Sequence, residues 1–394
     1  MTRLLLAALL LLCTYKVTVA APAAERQDTV TIQTEQQPDT VKKKKGIINW
    51  VLNYLNNTNK NKNHKKFDFS VLPGPHFSSD TGLGLGIIGM GLYRQNRRDT
   101  LTQPSNVAIF GDITTKSSYT IGIFGTHLFP YGKGRIEYEI SANYFKEGFW
   151  GIGYEMADND ANESEMKRWK IGAKANFLWK VMPNVFIGPS LTYDYAHAME
   201  IERPDLLEGM NPLVWNIGVG FTLAYDSRDI MTRPTKGIYA TVTQLFRPKF
   251  LSNGYAYTTT DFRFNTYGKL WKGAVIGGDL RGTLNFGNPS WAMMAMIGNS
   301  STMRGYYKGR YRDKHKMEAQ IELRQHIWKR NGAVVWVGVG TVFDKFSAIH
   351  LDRMLPNWGI GYRWEFKKNG NIRLDYGFGK NGIQGFVFNI NEAF

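Results

Sequence analysis

The sequence predicts an all-β protein, a transmembrane antiparallel β-barrel of about 16 strands, on three observations. From Phe67 onward, apolar and polar residues alternate with a period of two. The alternating segments run for roughly 9 to 11 residues with aromatic residues near their ends, the length and marking of a tilted membrane strand. The chain also opens on an export segment and has no stretch able to cross a bilayer as a helix: its longest uninterrupted apolar run is residues 4–13, against the roughly 20 residues a helix needs. With 43% hydrophobic, 14% aromatic and 21% charged residues among 394, the chain is not disordered, and a mean hydropathy of −0.33 suits strands with one wet face.

Residues 1–20 carry Arg3, an apolar run over 4–12 and the small residues Thr18 and Ala20, and are expected to be a cleaved signal peptide. The only cysteine, Cys13, lies within that run and follows Leu12, where a lipoprotein signal wants a small residue. No lipid anchor, disulfide or cysteine metal site is expected in the mature protein. Residues 21–66 form a polar segment that is acidic at first and then basic. Of the formal charge of +16, +8 falls in residues 41–66, where Lys42 to Lys45 and an Asn/Lys-rich run include no acidic residue. That tract either stays solvated or touches anionic headgroups. Within it Ile47, Ile48, Val51, Leu52 and Leu55, with Trp50 and Tyr54, suit one short amphipathic helix.

Residues 67–394 are the expected barrel. Ile136, Tyr138, Ile140, Ala142 and Tyr144 share one face and Arg135, Glu137, Glu139, Ser141 and Asn143 the other. The alternation returns with Trp169 to Trp179 and with Trp215 to Tyr225. Further copies span residues 276–286, 317–323, 360–366 and 372–378, separated by Gly/Asn/Asp/Lys turns. A soluble sandwich also alternates, but it would have to crowd these tryptophans into one core. The 328 residues allow 20.5 per strand and connection for 16 strands, and 14 or 18 strands, at 23.4 or 18.2, fit as well. A glycine-rich segment (Gly82, Gly84, Gly86, Gly89, Gly91), preceded by Pro73, Gly74 and Pro75, is expected to be the first strand, either weakly paired or kinked for closure.

Three stretches carry a family resemblance. Residues 226–239, DSRDIMTRPTKGIY, hold Asp226, Arg228, Asp229, Pro234 and Gly237, and physically describe a strand end, a turn and a returning strand. Residues 302–313, TMRGYYKGRYRD, put Arg304 between residues free to turn, with Gly305 and Tyr306 following. The chain ends GFVFNINEAF, where a period of two puts Phe386, Phe388, Ile390 and Phe394 on one face. The first two resemble the strand motif and the inward-folded sixth loop of the BamA/TamA family of outer-membrane barrels (the bacterial surface antigen superfamily). The third is similar to a C-terminal assembly signal. The resemblance implies that Arg304 locks the loop to the inner wall, and Glu322, on the polar face of the next strand, is the expected partner. In residues 336–344, Gly338 stands where the family usually has an aspartate, which leaves Asp344 further along and the second anchor open. Residues 21–66 are too few for a polypeptide-transport-associated (POTRA) domain, so the resemblance is to a barrel-only branch.

The implied function is insertion of outer-membrane proteins, polypeptide translocation or related membrane biogenesis, in the cell outer membrane. The expected partners are outer-membrane lipid, the barrel assembly machinery during biogenesis and a polypeptide client, with the barrel itself monomeric. The alternative is a passive pore or structural barrel, anion-favouring if Lys170, Lys174, Lys180, Arg263, Lys269 and Arg281 line an open lumen. A barrel lipase or protease is remote. None of the seven histidines sits in a G-x-S-x-G or H-E-x-x-H setting, and His197, near Asp194 and Glu200, reads as a loop residue. No catalytic, cofactor-binding or metal residue is expected. The glycine runs lack a phosphate-loop lysine, and an exported basic chain has no call on nucleic acid despite a pI near 9.6.

Overall fold

In the computed structural model, residues 67–78, 82–95, 104–367 and 370–394 are described. The expected signal peptide and the basic tract lie outside them. The chain forms β1 (Phe67–Ser78), β2 (Gly82–Tyr93), β3 (Ser105–Thr114), β4 (Tyr119–Leu128), β5 (Gly134–Phe149), β6 (Ser164–Met182), β7 (Val185–Met199), β8 (Leu213–Asp226), β9 (Gly237–Arg247), β10 (Tyr257–Lys269) and β11 (Ala274–Gly287). The two-residue strands β12 (Ala295–Met296) and β13 (Arg312–Asp313) follow, then β14 (His315–Trp328), β15 (Asn331–Phe343), β16 (Leu355–Lys367), β17 (Gly370–Gly379) and β18 (Gln384–Ile390). Sixteen strands make one antiparallel sheet in chain order, while β12 and β13 pair only with each other. The sheet returns on itself, β1 lying beside β18.

The two faces are reversed relative to a soluble protein. Ile121, Leu191, Phe221, Ile321, Val337 and Ile360 stand exposed, whereas Asn265, Asp279, Glu322 and Asp375 are buried on the other face. Such a belt of exposed apolar side chains marks a surface in contact with lipid. Aromatics gather near strand ends, as in the outward run Tyr119, Tyr144 and Trp169, with ring centres 6.0 and 5.3 Å apart.

Connections alternate between the two ends. Residues 150–163, 200–212, 248–256, 288–314 and 344–354 lie at one end; the turns at 129–133, 183–184, 227–236, 270–273 and 329–330 lie at the other, with the start of β1 and residues 391–394. Outer-membrane barrels place their short turns toward the periplasm and their long loops outside. The loop at 150–163 contains the only α-helix among the described residues, α1 (Tyr154–Asp158), too short to show a helical period in sequence.

One expectation about the first strand is corrected. Pro73, Gly74 and Pro75 do not precede it but lie inside β1, and the glycine-rich segment is β2. Proline lacks the N–H that a ladder needs. Two prolines two residues apart lack it along the same edge, and β1 nonetheless pairs with β2 along its whole length.

Candidate functional site

Loop 288–314, between β11 and β14, folds into the lumen. Asn299 starts its descent: its side-chain oxygen accepts from the backbone N–H groups of Ser301 and Thr302 at 2.7 and 2.9 Å. Met303 (φ 49°) and Gly305 (φ 103°) then turn the backbone on either side of Arg304. The hydroxyl of Thr302 donates to Glu318 of β14, and Gln320 of β14 donates to the Ser301 carbonyl, so the descending loop and β14 are bonded in both directions.

Arg304 is completely buried. Its guanidinium lies 2.7 Å from Glu322 on β14 and 2.8 Å from Asp375 on β17, and its carbon centre sits 3.6 Å from the ring centre of Trp336 on β15. A guanidinium taken out of water is tolerated only with opposite charge at close range, and a flat fork between two carboxylates over an indole supplies that charge. The loop's main chain is held as well. The Arg304 carbonyl accepts from Asn357 Nδ2 at 2.6 Å, and Asn357 is itself oriented by the Trp336 indole N–H at 2.9 Å. The Tyr306 hydroxyl donates to the Pro356 carbonyl and accepts from the Lys380 N–H. Gly305 packs against Gly377 of β17 with no room for a side chain between them.

The charges around Arg304 close into a ring. Glu322 meets Arg324 at 2.8 Å; Arg324 meets Glu392 at 3.8 Å; Glu392 meets Arg363 at 2.8 Å; Arg363 meets Asp375 at 2.5 Å; and Asp375 returns to Arg304. Three arginines alternate with three carboxylates, so each charge has an opposite charge on both sides. Arg373 adds a hydrogen bond to the Ser300 carbonyl.

The structure thus brings Arg304, Gly305, Tyr306 and Glu322 together, and adds residues the sequence did not point to. Asp375 is the second carboxylate on Arg304, supplied by β17, three sheet positions from β14. Gly338 lies beside the Gln320 side chain, and Asp344 is exposed in the loop after β15. The alternation of Arg373 and Asp375 on one face of β17 was a visible signal, but nothing in it named Arg304 as their neighbour.

The motif of residues 226–237 builds the turn between β8 and β9. Asp226 accepts from Arg228 at 2.8 Å and from Arg135 of β5 at 3.0 Å, while Arg228 lies over the Tyr239 ring. Asp229 gathers the backbone N–H groups of Ile230, Thr235 and Lys236 and the Thr235 hydroxyl. Pro234 is buried, and Gly237 (φ 105°) passes too close to the Ser227 carbonyl for a side chain. From this turn Arg233 reaches Glu365 on β16 at 2.7 Å, which carries the turn across the lumen mouth.

The C-terminal face is only partly as expected. Phe386 and Phe388 lie opposite Tyr376 and Leu374, and Ile390 lies opposite Ile372. Phe394 does not share their face. Asn391 (φ 66°) breaks the alternation, and Phe394 turns inward to stack on Tyr267, with the Arg324 guanidinium 5.0 Å from its ring centre and bonded to its main-chain oxygen at 2.8 Å.

A family model described as the Omp85 superfamily domain matches residues 117–394. The chain belongs to the Omp85 superfamily. Among solved structures, it is similar to BamA from Haemophilus ducreyi lacking POTRA domains 1–3, at 14% identity and a TM-score of 0.55, covering 83% of this chain and 70% of that one. It is also similar to CdiB from Acinetobacter baumannii, at 12% identity and a TM-score of 0.51, covering 88% and 67%. CdiB from Escherichia coli follows at 10% identity and a TM-score of 0.50, covering 87% and 70%. At these identities the likeness is one of fold. No curated protein sequence matches this Omp85 chain.

At the long-loop end of this Omp85 barrel a second set of contacts joins three loops. Lys380 Nζ meets Asp158 of α1 at 2.9 Å, and the Tyr311 hydroxyl donates to the same carboxylate at 2.9 Å. Burial alone would raise the Asp158 pKa, but the hydrogen bonds from Lys380 and Tyr311 outweigh it and hold the carboxyl below its ordinary value. A carboxyl with a depressed folded-state pKa stabilises above its unfolded value of about 3.9, and that contribution is lost as pH falls through the depressed one. Protease cleavage of loop 150–163 is therefore expected to stay low from neutrality down to about pH 5 and to rise only below about pH 4. Asp158→Asn should raise cleavage at neutral pH and flatten that acid step. The effect is modest, about 1 kcal/mol or less for a partly exposed pair.

Proposed function

We propose that this Omp85 barrel acts in outer-membrane biogenesis, inserting or translocating polypeptides at the outer membrane. The observation that carries the reading is the seam. Consecutive strands pair throughout the sheet, and its first and last strands, β1 and β18, lie side by side at the seam. β1 contains two prolines, which offer no N–H, and β18 spans only seven residues, which shortens the stretch over which the two strands can pair. A sheet edge of this kind is able to template an incoming strand. On this reading residues 1–20 direct export and are removed, residues 21–66 lie on the periplasmic side, and the partners are lipid, the assembly machinery that inserts this barrel and a polypeptide client.

The passive anion-favouring pore has less support. Loop 288–314 occupies the lumen beside β14–β17, and two of the expected lumen cations, Arg263 and Arg281, flank Asp279 at 3.9 and 2.8 Å.

The test is a quantitative outer-membrane proteome after depletion of the protein, with rescue by wild type or by Arg304→Ala. Loss of many other barrels, restored by wild type, supports a role in insertion. Unchanged barrel levels reject it.

A further inference from the structure

We propose that the short-turn end of the barrel is a docking belt for anionic phospholipid headgroups, built from lysines set beside exposed aromatic side chains. The unit repeats around the rim. Lys180 follows Trp179 near the end of β6, Lys272 follows Trp271 at the β10–β11 turn, and Lys329 follows Trp328 at the β14–β15 turn, its ammonium 4.4 Å from the ring centre of that tryptophan. The three tryptophans are 50%, 58% and 61% exposed, and the lysines are exposed as well. At the β4–β5 turn Lys133 stands two residues after the exposed Tyr131.

Several cations at the long-loop end have carboxylates beside them: Lys146 with Glu165 at 2.7 Å, Arg203 with Asp205 at 2.8 Å, and Lys380 with Asp158. Among the described residues, Lys133, Lys180, Lys272 and Lys329 have no carboxylate within ion-pair distance. The acids of their own end are engaged elsewhere, Asp226 by Arg135 and Arg228, Asp229 by its turn, and Glu365 by Arg233.

Indole rings partition to the depth where acyl chains meet headgroups, and a lysine beside them extends its ammonium to the phosphate layer. Lys133, Lys272 and Lys329 sit at three separate turns and Lys180 near the end of β6, each within two residues of an exposed ring. That spacing suits an annulus of lipid phosphates better than one acidic protein, which would need a contiguous patch. The inference is independent of whether the barrel inserts polypeptides.

The full chain is reconstituted in phosphatidylcholine vesicles carrying either brominated phosphatidylglycerol or brominated phosphatidylcholine, and tryptophan quenching gives the relative preference. At about fivefold per engaged lysine, each holding its own lipid, wild type is expected to prefer phosphatidylglycerol by about fivefold. The variant Lys133→Gln/Lys180→Gln/Lys272→Gln/Lys329→Gln should fall to near parity, and the long-loop control Lys146→Gln/Lys167→Gln should match wild type. Both variants keep the basic tract at 41–66, so a preference surviving in the rim variant belongs to that tract and overturns the proposal, as does wild type without preference. Should the rim variant fail to assemble, the four single lysine-to-glutamine variants decide: a reduced preference in each supports the belt, and preferences equal to wild type overturn it.

Discussion

Arg304→Ala is expected to lower the stability of the barrel by about 3 kcal/mol or more, the loss seen when one partner is removed from a buried ion pair. The deletion withdraws the guanidinium from Glu322 and Asp375 and from the face of Trp336, and it leaves space in a fully buried site. The carboxylates are not left alone, since Glu322 keeps Arg324 and Asp375 keeps Arg363, so the effect should sit toward the lower end of the 3–5 kcal/mol range. Arg304→Lys retains the charge but has one ammonium where two carboxylates and an indole were served by a planar fork; it should recover less than half. The measurement is the temperature at which the folded form on gels converts to the unfolded one, together with protease cleavage within residues 288–314. If Arg304→Ala leaves both unchanged, the loop is not held by this residue.

The ring also makes a prediction about direction. Glu392 and Phe394 belong to the segment after β18, yet they meet Arg363 and Arg324, whose partners are the carboxylates on Arg304. Releasing the loop should therefore loosen the segment after β18, at the seam with β1.

How much of this was legible follows from the kind of contact involved. Alternation within one strand is a local property, so the lipid-facing positions Ile140, Trp169 and Phe221 and the opposite polar positions could be assigned from sequence alone. Arg304 and Glu322 were legible through a motif and the polar face of the strand that follows it. Asp375 was not, because β17 reaches Arg304 only through sheet closure, 71 residues further along the chain. Two errors have local causes. A two-residue period was extended through Asn391, whose left-handed backbone turns Phe394 into the lumen. The prolines of β1 suggest a segment ahead of the first strand, although prolines spaced by two are compatible with a strand paired along one edge.

Gly377→Ala is expected to disengage the loop while leaving every charged residue of the ring in the sequence. A methyl group on Gly377 would overlap the Arg304 carbonyl oxygen, which Asn357 Nδ2 holds at 2.6 Å, and would come within 3.2 Å of the Gly305 backbone nitrogen. Two backbones in contact have no flexible side chain to absorb the strain, so the main chain of loop or strand must shift. A shift of the Arg304 backbone breaks a two-carboxylate fork whose distances are all below 3 Å, and the destabilisation should approach that of Arg304→Ala. Gly361→Ala cannot serve as the control, because its methyl group would meet Asp375 itself; Gly172→Ala can, since the space at that lumen position is open. The informative measurement is a double-mutant cycle. If both substitutions act by releasing the same loop, the second costs little once the first is made, and the coupling should reach about 2 kcal/mol, within the range for residues sharing a network. Additive losses would mean that Gly377 packs against the loop without positioning Arg304, and that the guanidinium can reach its carboxylates from a displaced backbone.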